Sequence, residues 1–155
     1  MSGTIDTRLA DLGIDLPAAA APAANYVPFV RSGNLVFISG QVAMDKDGFV
    51  TGKLGESTSD EAGVAAARLC GLALIAQLRA ACDGDLDRVK KVVKLGGFVN
   101  CTPDFGQHPK VINGCSDLMV EVFGSEIGSH ARAAVGSSSL PFGVAVEIEG
   151  IFEIA

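Results

Sequence analysis

At 155 residues, with 48% hydrophobic and 19% charged positions, the chain is long enough for one domain with a proper core and too apolar for disorder. A formal charge of −6 and a pI near 4.8 repel phosphate backbones and anionic lipid, so neither nucleic acid nor a membrane surface is an expected partner. With no tryptophan and one tyrosine, Tyr26, the apolar surplus points to some surface that meets another subunit.

In chain order, residues 4–14 predict a short helix, since Ile5, Leu9 and Leu12 share a face. A Pro/Ala connector, residues 15–25, follows. Its alanine stretch Ala18–Ala24 is too short and small for a signal core. Residues 1–24 are thus an N-terminal helix and linker, and 25–155 a single globular domain. The segment 26–45 predicts two strands joined by a turn at Ser32-Gly33-Asn34, with Val36 and Ile38 on one face and Phe37 and Ser39 on the other. After a turn at Met44–Gly48, residues Phe49–Thr51 form a third short strand. Thr58-Ser59-Asp60-Glu61 has the form of a capping box and opens a helix that runs to Ala81, striped by Val64, Ala67, Gly71, Leu74, Ile75 and Leu78.

Val89–Val99 is rich in β-branched residues and predicts a strand, broken at Pro103-Asp104. Lys110–Phe123 predicts a second helix that Gly124 stops. The last third predicts a hairpin of strands Ala131–Gly136 and Val144–Ile154. The order β-β-β-α-β-α-β-β describes an α+β layer with both of these helices on one face of the sheet.

No phosphate-binding loop, dinucleotide fingerprint or GxSxG elbow occurs. Cys70, Cys82, Cys101 and Cys115 match no CxxC spacing. With no leader and no run of about 18 apolar residues, they read as reduced, mostly buried thiols of a cytoplasmic protein. His108 and His130 read as exposed loop residues rather than zinc ligands with Cys101 or Cys115, and no metal is expected. The basic cluster Arg88, Lys90, Lys91 and Lys94 reads as a solvated edge. The informative charges are Arg132, within Ala131–Val135, and Glu147 and Glu149, within a still more apolar strand. A charge in such company is paired, lines a site, or faces water. Spacing alone leaves all three open.

Four segments resemble the Rid (reactive intermediate deaminase) family, once called endoribonuclease L-PSP. They are Tyr26-Val27 with Gly33-Asn34; Phe37-Ile38-Ser39-Gly40-Gln41; Val111-Ile112-Asn113; and Ala131-Arg132-Ala133-Ala134-Val135 with Leu140-Pro141 and Val146-Glu147-Ile148-Glu149. The similarity runs from about Ala24 to the C-terminus. It implies a bacillary chorismate-mutase-like fold, two helices on a mixed sheet, assembled as a homotrimer with a cleft at each subunit interface. It implies hydrolysis of 2-imino and enamine acids to 2-keto acids and ammonia, with no cofactor. By the same resemblance Arg132 binds the substrate carboxylate and Glu147 holds the attacking water. Tyr26, Ser39, Gly40, Asn113 and Ala134 contact substrate, Ala134 through its backbone N–H. The chain departs from the family at Ala134, where deaminases usually have cysteine, and at His130, commonly proline. The first departure keeps a second reading open: a non-catalytic or differently catalytic trimer that binds a small carboxylic metabolite. Ribonuclease action is disfavoured by the acidic balance and the lack of a histidine pair placed for acid–base cleavage.

Overall fold

The computed structural model describes residues 3–21 and 24–155. Pro22 and Ala23, within the expected Pro/Ala connector, lie outside the described residues. The elements are α1 (Thr4–Asp11), β1 (Phe29–Ser32), β2 (Leu35–Val42), β3 (Met44–Asp45), β4 (Gly48–Phe49), α2 (Asp60–Ala81), β5 (Val89–Asn100), α3 (His108–Gly128), β6 (Ala131–Ser137) and β7 (Val146–Ile154). Ser59 caps α2 by accepting from the Ala62 N–H at 3.1 Å, so the cap sits one residue after Thr58, where the capping-box pattern starts. Gly124 (φ 82°, ψ 163°) leaves helical geometry where the stop was expected, but a further turn carries α3 to Gly128.

Five strands make one mixed sheet in the order β1-β2-β7-β5-β6, and β3 and β4 form a separate ribbon. The expected C-terminal hairpin is not there. β6 pairs in parallel with β5 alone, while β7 lies antiparallel between β2 and β5. The reason is nonlocal. Helix α3 returns the chain as a crossover, which lets β6 dock parallel to β5 on its outer side. The segment after β6 then passes over the sheet end to the slot between β2 and β5. Lys53 Nζ pins it there, donating to Ser138 O at 2.6 Å and to the buried Asn100 Oδ1 at 2.7 Å.

One sheet face carries Val36, Ile38, Leu95, Val99, Val146, Ile148 and Phe152, all buried. It packs under Leu74, Ile75 and Leu78 of α2 and Val111, Ile112, Leu118 and Met119 of α3. Each such side chain contributes roughly 1.5–3 kcal/mol by leaving water, and together they are the single core. Helix α2 is long and apolar enough on average to cross a bilayer by length and composition, although Arg68 interrupts its apolar stretch. Half of that stretch, however, is buried inside the fold. Among the described residues the opposite sheet face has no helix on it. Val30 (54% exposed), Phe37 (42%) and Val135 (46%) lie on that side.

Candidate functional site

Arg132 pairs with the buried Leu95 in register, which turns its side chain to the helix face at the sheet's outer edge. There Nη1 donates to Asn113 Oδ1 (2.8 Å) and Ser116 Oγ (3.0 Å), and Nη2 donates to Pro109 O (3.2 Å). All three acceptors are neutral. Among the described residues no carboxylate pairs with this guanidinium. A half-buried cation held rigidly by neutral acceptors keeps its charge for a ligand. Of its five N–H groups, Nε–H and one on Nη2 have no partner among the described residues, enough for two-point contact with a carboxylate.

Ser116 was not foreseen, because nothing in the local pattern marks a helix serine as functional. Its Oγ, which accepts from Arg132, also lies 2.9 Å from His130 Nε2, while His130 Nδ1 lies 2.6 Å from Gly128 O. One tautomer satisfies all three bonds: Nδ1–H donates to the carbonyl, and the serine hydroxyl donates to Nε2. His130 is therefore a half-buried brace behind the arginine, and the exposed-loop expectation is corrected. His108 is corrected likewise. It opens α3 half-buried, with Nε2 3.5 Å from Cys101 Sγ. The two histidines belong to different pairs, and among the described residues no group of three or more metal-ligating side chains gathers. All four cysteines are free and buried. Burial pushes the Cys115 thiol up to about 12 despite the opposing pull of Arg132, so it is no nucleophile at neutral pH.

Glu147 lies on the other face. Val146 and Ile148 point into the core, and Glu147 and Glu149 point away, as alternation requires. Its carboxylate lies over the Gly40 Cα, where an added Cβ would come within 2.7 Å of Oε1. Only glycine leaves it that room. A bulge in β2 between Ile38 and Gln41 carries Gly40 to this place. β1 pairs with Leu35–Ile38 and the Ser39 N–H donates to Pro28 O at 2.9 Å, so among the described residues the free flank of β2 begins at Gly40, and a cavity of about 700 Å³ opens along it. Tyr26, Gly40 and Glu147 all line this cavity. Ser39 does not, but its hydroxyl donates to Val27 O at 2.8 Å and fixes the segment beside Tyr26.

The expected site residues therefore fall into two sets. Arg132, Asn113 and Ala134 stand on the helix side at the β6 edge. Tyr26, Ser39, Gly40 and Glu147 gather at the β2 flank and open face. Within one chain Arg132 and Glu147 do not converge, since β5 separates their strands and their side chains leave opposite faces.

Burial, with the like charge of Glu149 second, holds the Glu147 carboxyl above its ordinary value of 4.5. A raised folded-state value means that the fold favours the protonated form. The stability this gives is complete below the unfolded value and is lost as pH rises through the folded one. Ionised Glu147 therefore costs stability at neutral pH. Glu147→Gln is expected to melt higher than the parent at neutral pH, with the gap closing as pH falls to about 4. Thermal melts across that range check it, and a lower neutral-pH melting point for the variant would refute the desolvation argument.

Residues 6–149 match the family described as "YjgF/chorismate_mutase-like, putative endoribonuclease". The chain is 53% identical over 154 residues to protein TCP17 of Trypanosoma cruzi, covering 99% of this chain and 96% of that protein. It is 31% identical over 143 residues to the 2-iminobutanoate/2-iminopropanoate deaminase of Dermatophagoides farinae, covering 91% and 94%. It superposes on the crystal structure of Atu1372 from Agrobacterium tumefaciens with a TM-score of 0.89 at 47% identity, covering 97% of this chain and 92% of that one.

Proposed function

The chain belongs to the YjgF/chorismate-mutase-like family, and from that premise we propose that it hydrolyses reactive 2-imino and enamine acids to 2-keto acids and ammonia. The observation that carries this reading is the uncompensated Arg132 guanidinium, held by three neutral acceptors with two N–H groups left over. A 2-imino acid presents a carboxylate next to an electrophilic C=N carbon. The arginine grips the carboxylate and fixes the carbon's position. Water adds its oxygen to that carbon, and the C=N π pair moves to nitrogen. Glu147 takes a proton from the water and returns one to the nitrogen. Glu147 next takes the hydroxyl proton of the resulting carbinolamine and passes it to the amine; the freed O–H pair closes the C=O as the C–N pair leaves with nitrogen, so ammonia departs and the keto group remains. A carboxyl with a raised value is suited to both transfers.

The opposed faces of Arg132 and Glu147 favour a site shared between copies of the chain. In this reading one copy supplies Arg132, Asn113 and Ala134, and the next supplies Tyr26, Ser39, Gly40 and Glu147. The apolar face of Val30, Phe37 and Val135 gives such an assembly, a homotrimer, a surface to bury. A second reading, a non-catalytic or differently catalytic trimer that binds a small carboxylic metabolite, is favoured by one feature: Ala134 stands where the deaminases of the family usually have cysteine.

The test is complementation. Arg132→Ala and Glu147→Gln are each expected to abolish keto-acid formation from freshly generated 2-iminobutanoate. Refolded together in equal amounts, they regain roughly a quarter of parent activity, the share of random interfaces that pair one intact arginine with one intact glutamate. An active parent with no recovery in the mixture places both residues in one subunit's site or removes one of them. A parent that binds 2-oxobutanoate without turning over imine selects the second reading.

A further inference from the structure

The cavity beside Glu147 is far larger than the substrate named for the Dermatophagoides farinae relative would need. At about 700 Å³ it falls in the range that encloses drug-sized ligands, whereas 2-iminobutanoate carries only an ethyl group. Its walls away from Glu147 are mainly apolar, with Asp15, Asp45, Lys46 and Gln77 as polar interruptions. Leu69, Leu72 and Ala73 of α2 form one side, and the stacked rings of Phe49 and Phe142 (centroids 4.6 Å apart, planes 4° apart) form another. Phe142 is 68% exposed and sits at φ 59°, a left-handed conformation that bulky residues rarely adopt. An aromatic ring held out at a cavity rim against that backbone preference marks a position kept for contact.

The last wall is the segment after α1, where Pro17, Ala18 and Ala20 face the cavity. It is held in place. Gln77, buried in α2, donates to Ala20 O at 2.9 Å, and Arg79 pairs with Asp6 at 2.9 Å. The N–H groups of Thr4 and Ile5 both donate to the Asp87 carboxylate at 2.8 Å.

We propose that this cavity receives the side chain of the substrate, and that the preferred substrates are imino acids with bulky apolar or aromatic side chains rather than those of two or three carbons. The inference rests on the hydrolase reading for the chemistry, but not for the binding. With the imine carbon at Glu147, a side chain that enters the cavity leaves water for the α2 and phenylalanine walls. Each methylene so buried raises affinity for the transition state by roughly fourfold or more.

The experiment compares imines released by an amino-acid oxidase from phenylalanine, leucine and 2-aminobutyrate, with keto-acid yield as readout. In parallel, calorimetry measures binding of phenylpyruvate, 4-methyl-2-oxopentanoate and 2-oxobutanoate to the full chain. The bulky imines are expected to give kcat/KM at least tenfold above the small one, and the bulky keto acids to bind at least tenfold tighter. Ala73→Leu, which fills the cavity from a helix, is expected to cut that preference at least fivefold. Should Ala73→Leu fail to fold, the parent comparison alone decides. If the small imine is turned over as well as or better than the bulky ones, the cavity assignment falls and the hydrolase reading stands. If no imine is turned over but bulky keto acids bind tightly, the hydrolase reading falls and the cavity assignment stands. Equal binding of all three keto acids overturns the inference.

Discussion

Replacing Arg132 by alanine is expected to lower kcat/KM for 2-imino acids by at least two orders of magnitude while leaving the fold intact. A charge-assisted hydrogen bond contributes roughly 1.5–3 kcal/mol, so losing a two-point grip removes about 3 kcal/mol or more. At about 1.4 kcal/mol per decade this is at least a hundredfold in rate. The loss falls first on KM, because the carboxylate is anchored in the ground state too. Lysine is expected to recover no more than about tenfold, since it restores a point charge without the planar fork. It also cannot make the three bonds to Asn113, Ser116 and Pro109 together in the arginine's geometry. The residue sits at the sheet's edge and is only half-buried, so water can reach the acceptors that truncation vacates. Circular dichroism melts of Arg132→Ala are therefore expected within a few degrees of the parent. A folded Arg132→Ala protein with parental kcat/KM would take the guanidinium out of the mechanism.

The largest expected effect on stability comes from Gly114→Ala. In an ordinary helix this change is favourable by about 1 kcal/mol, because alanine has the better helix propensity. Here the new Cβ would fall on the Val64 carbonyl oxygen, with the carbonyl carbon only 3.0 Å away. Both atoms are backbone of α2, so no rotamer change relieves the overlap, and the two helices must part along their core contact. Overpacking of this kind costs typically 1–3 kcal/mol and more where backbone must move. The clash outweighs the propensity gain. A melting point lower by roughly 5 °C or more is expected, at 2–4 °C per kcal/mol for a chain this size. Gly106→Ala is the control: its added Cβ meets nothing within 4 Å, and its melting point is expected to stay put. An unchanged melting point in Gly114→Ala would mean that the helices do not cross as closely as described.

Much of the fold was legible because local patterns have local causes. The period-two alternation in VAVEIEGIFEI puts Val146 and Ile148 on the face opposite Glu147 and Glu149, and in the structure the first pair is buried in the core. The apolar stripe of α2 follows from periodicity and the break in α3 from a single glycine, Gly124. The stretch from Ala131 to Glu149 pointed to the family that the comparisons bear out. Partners distant in sequence were not legible. The exposed-loop expectation for His130 fails because no local pattern shows that Ser116 of α3 stands 2.9 Å away. The cavity was invisible too, since four stretches between Asp15 and Glu147 build it.

The sequence by itself determined most of the elements, the alternation of side chains along each strand or helix, and the chemistry on offer: a guanidinium and a carboxyl, each set in an apolar strand. Tertiary structure decided which strand lies next to which, and so that Arg132 and Glu147 emerge on opposite faces rather than on the two arms of a hairpin. The physical reason is that a dihedral preference or a hydrophobic period acts within a few residues. Strand order, by contrast, is set by which long-range pairing buries the most apolar surface while satisfying every backbone N–H and C=O.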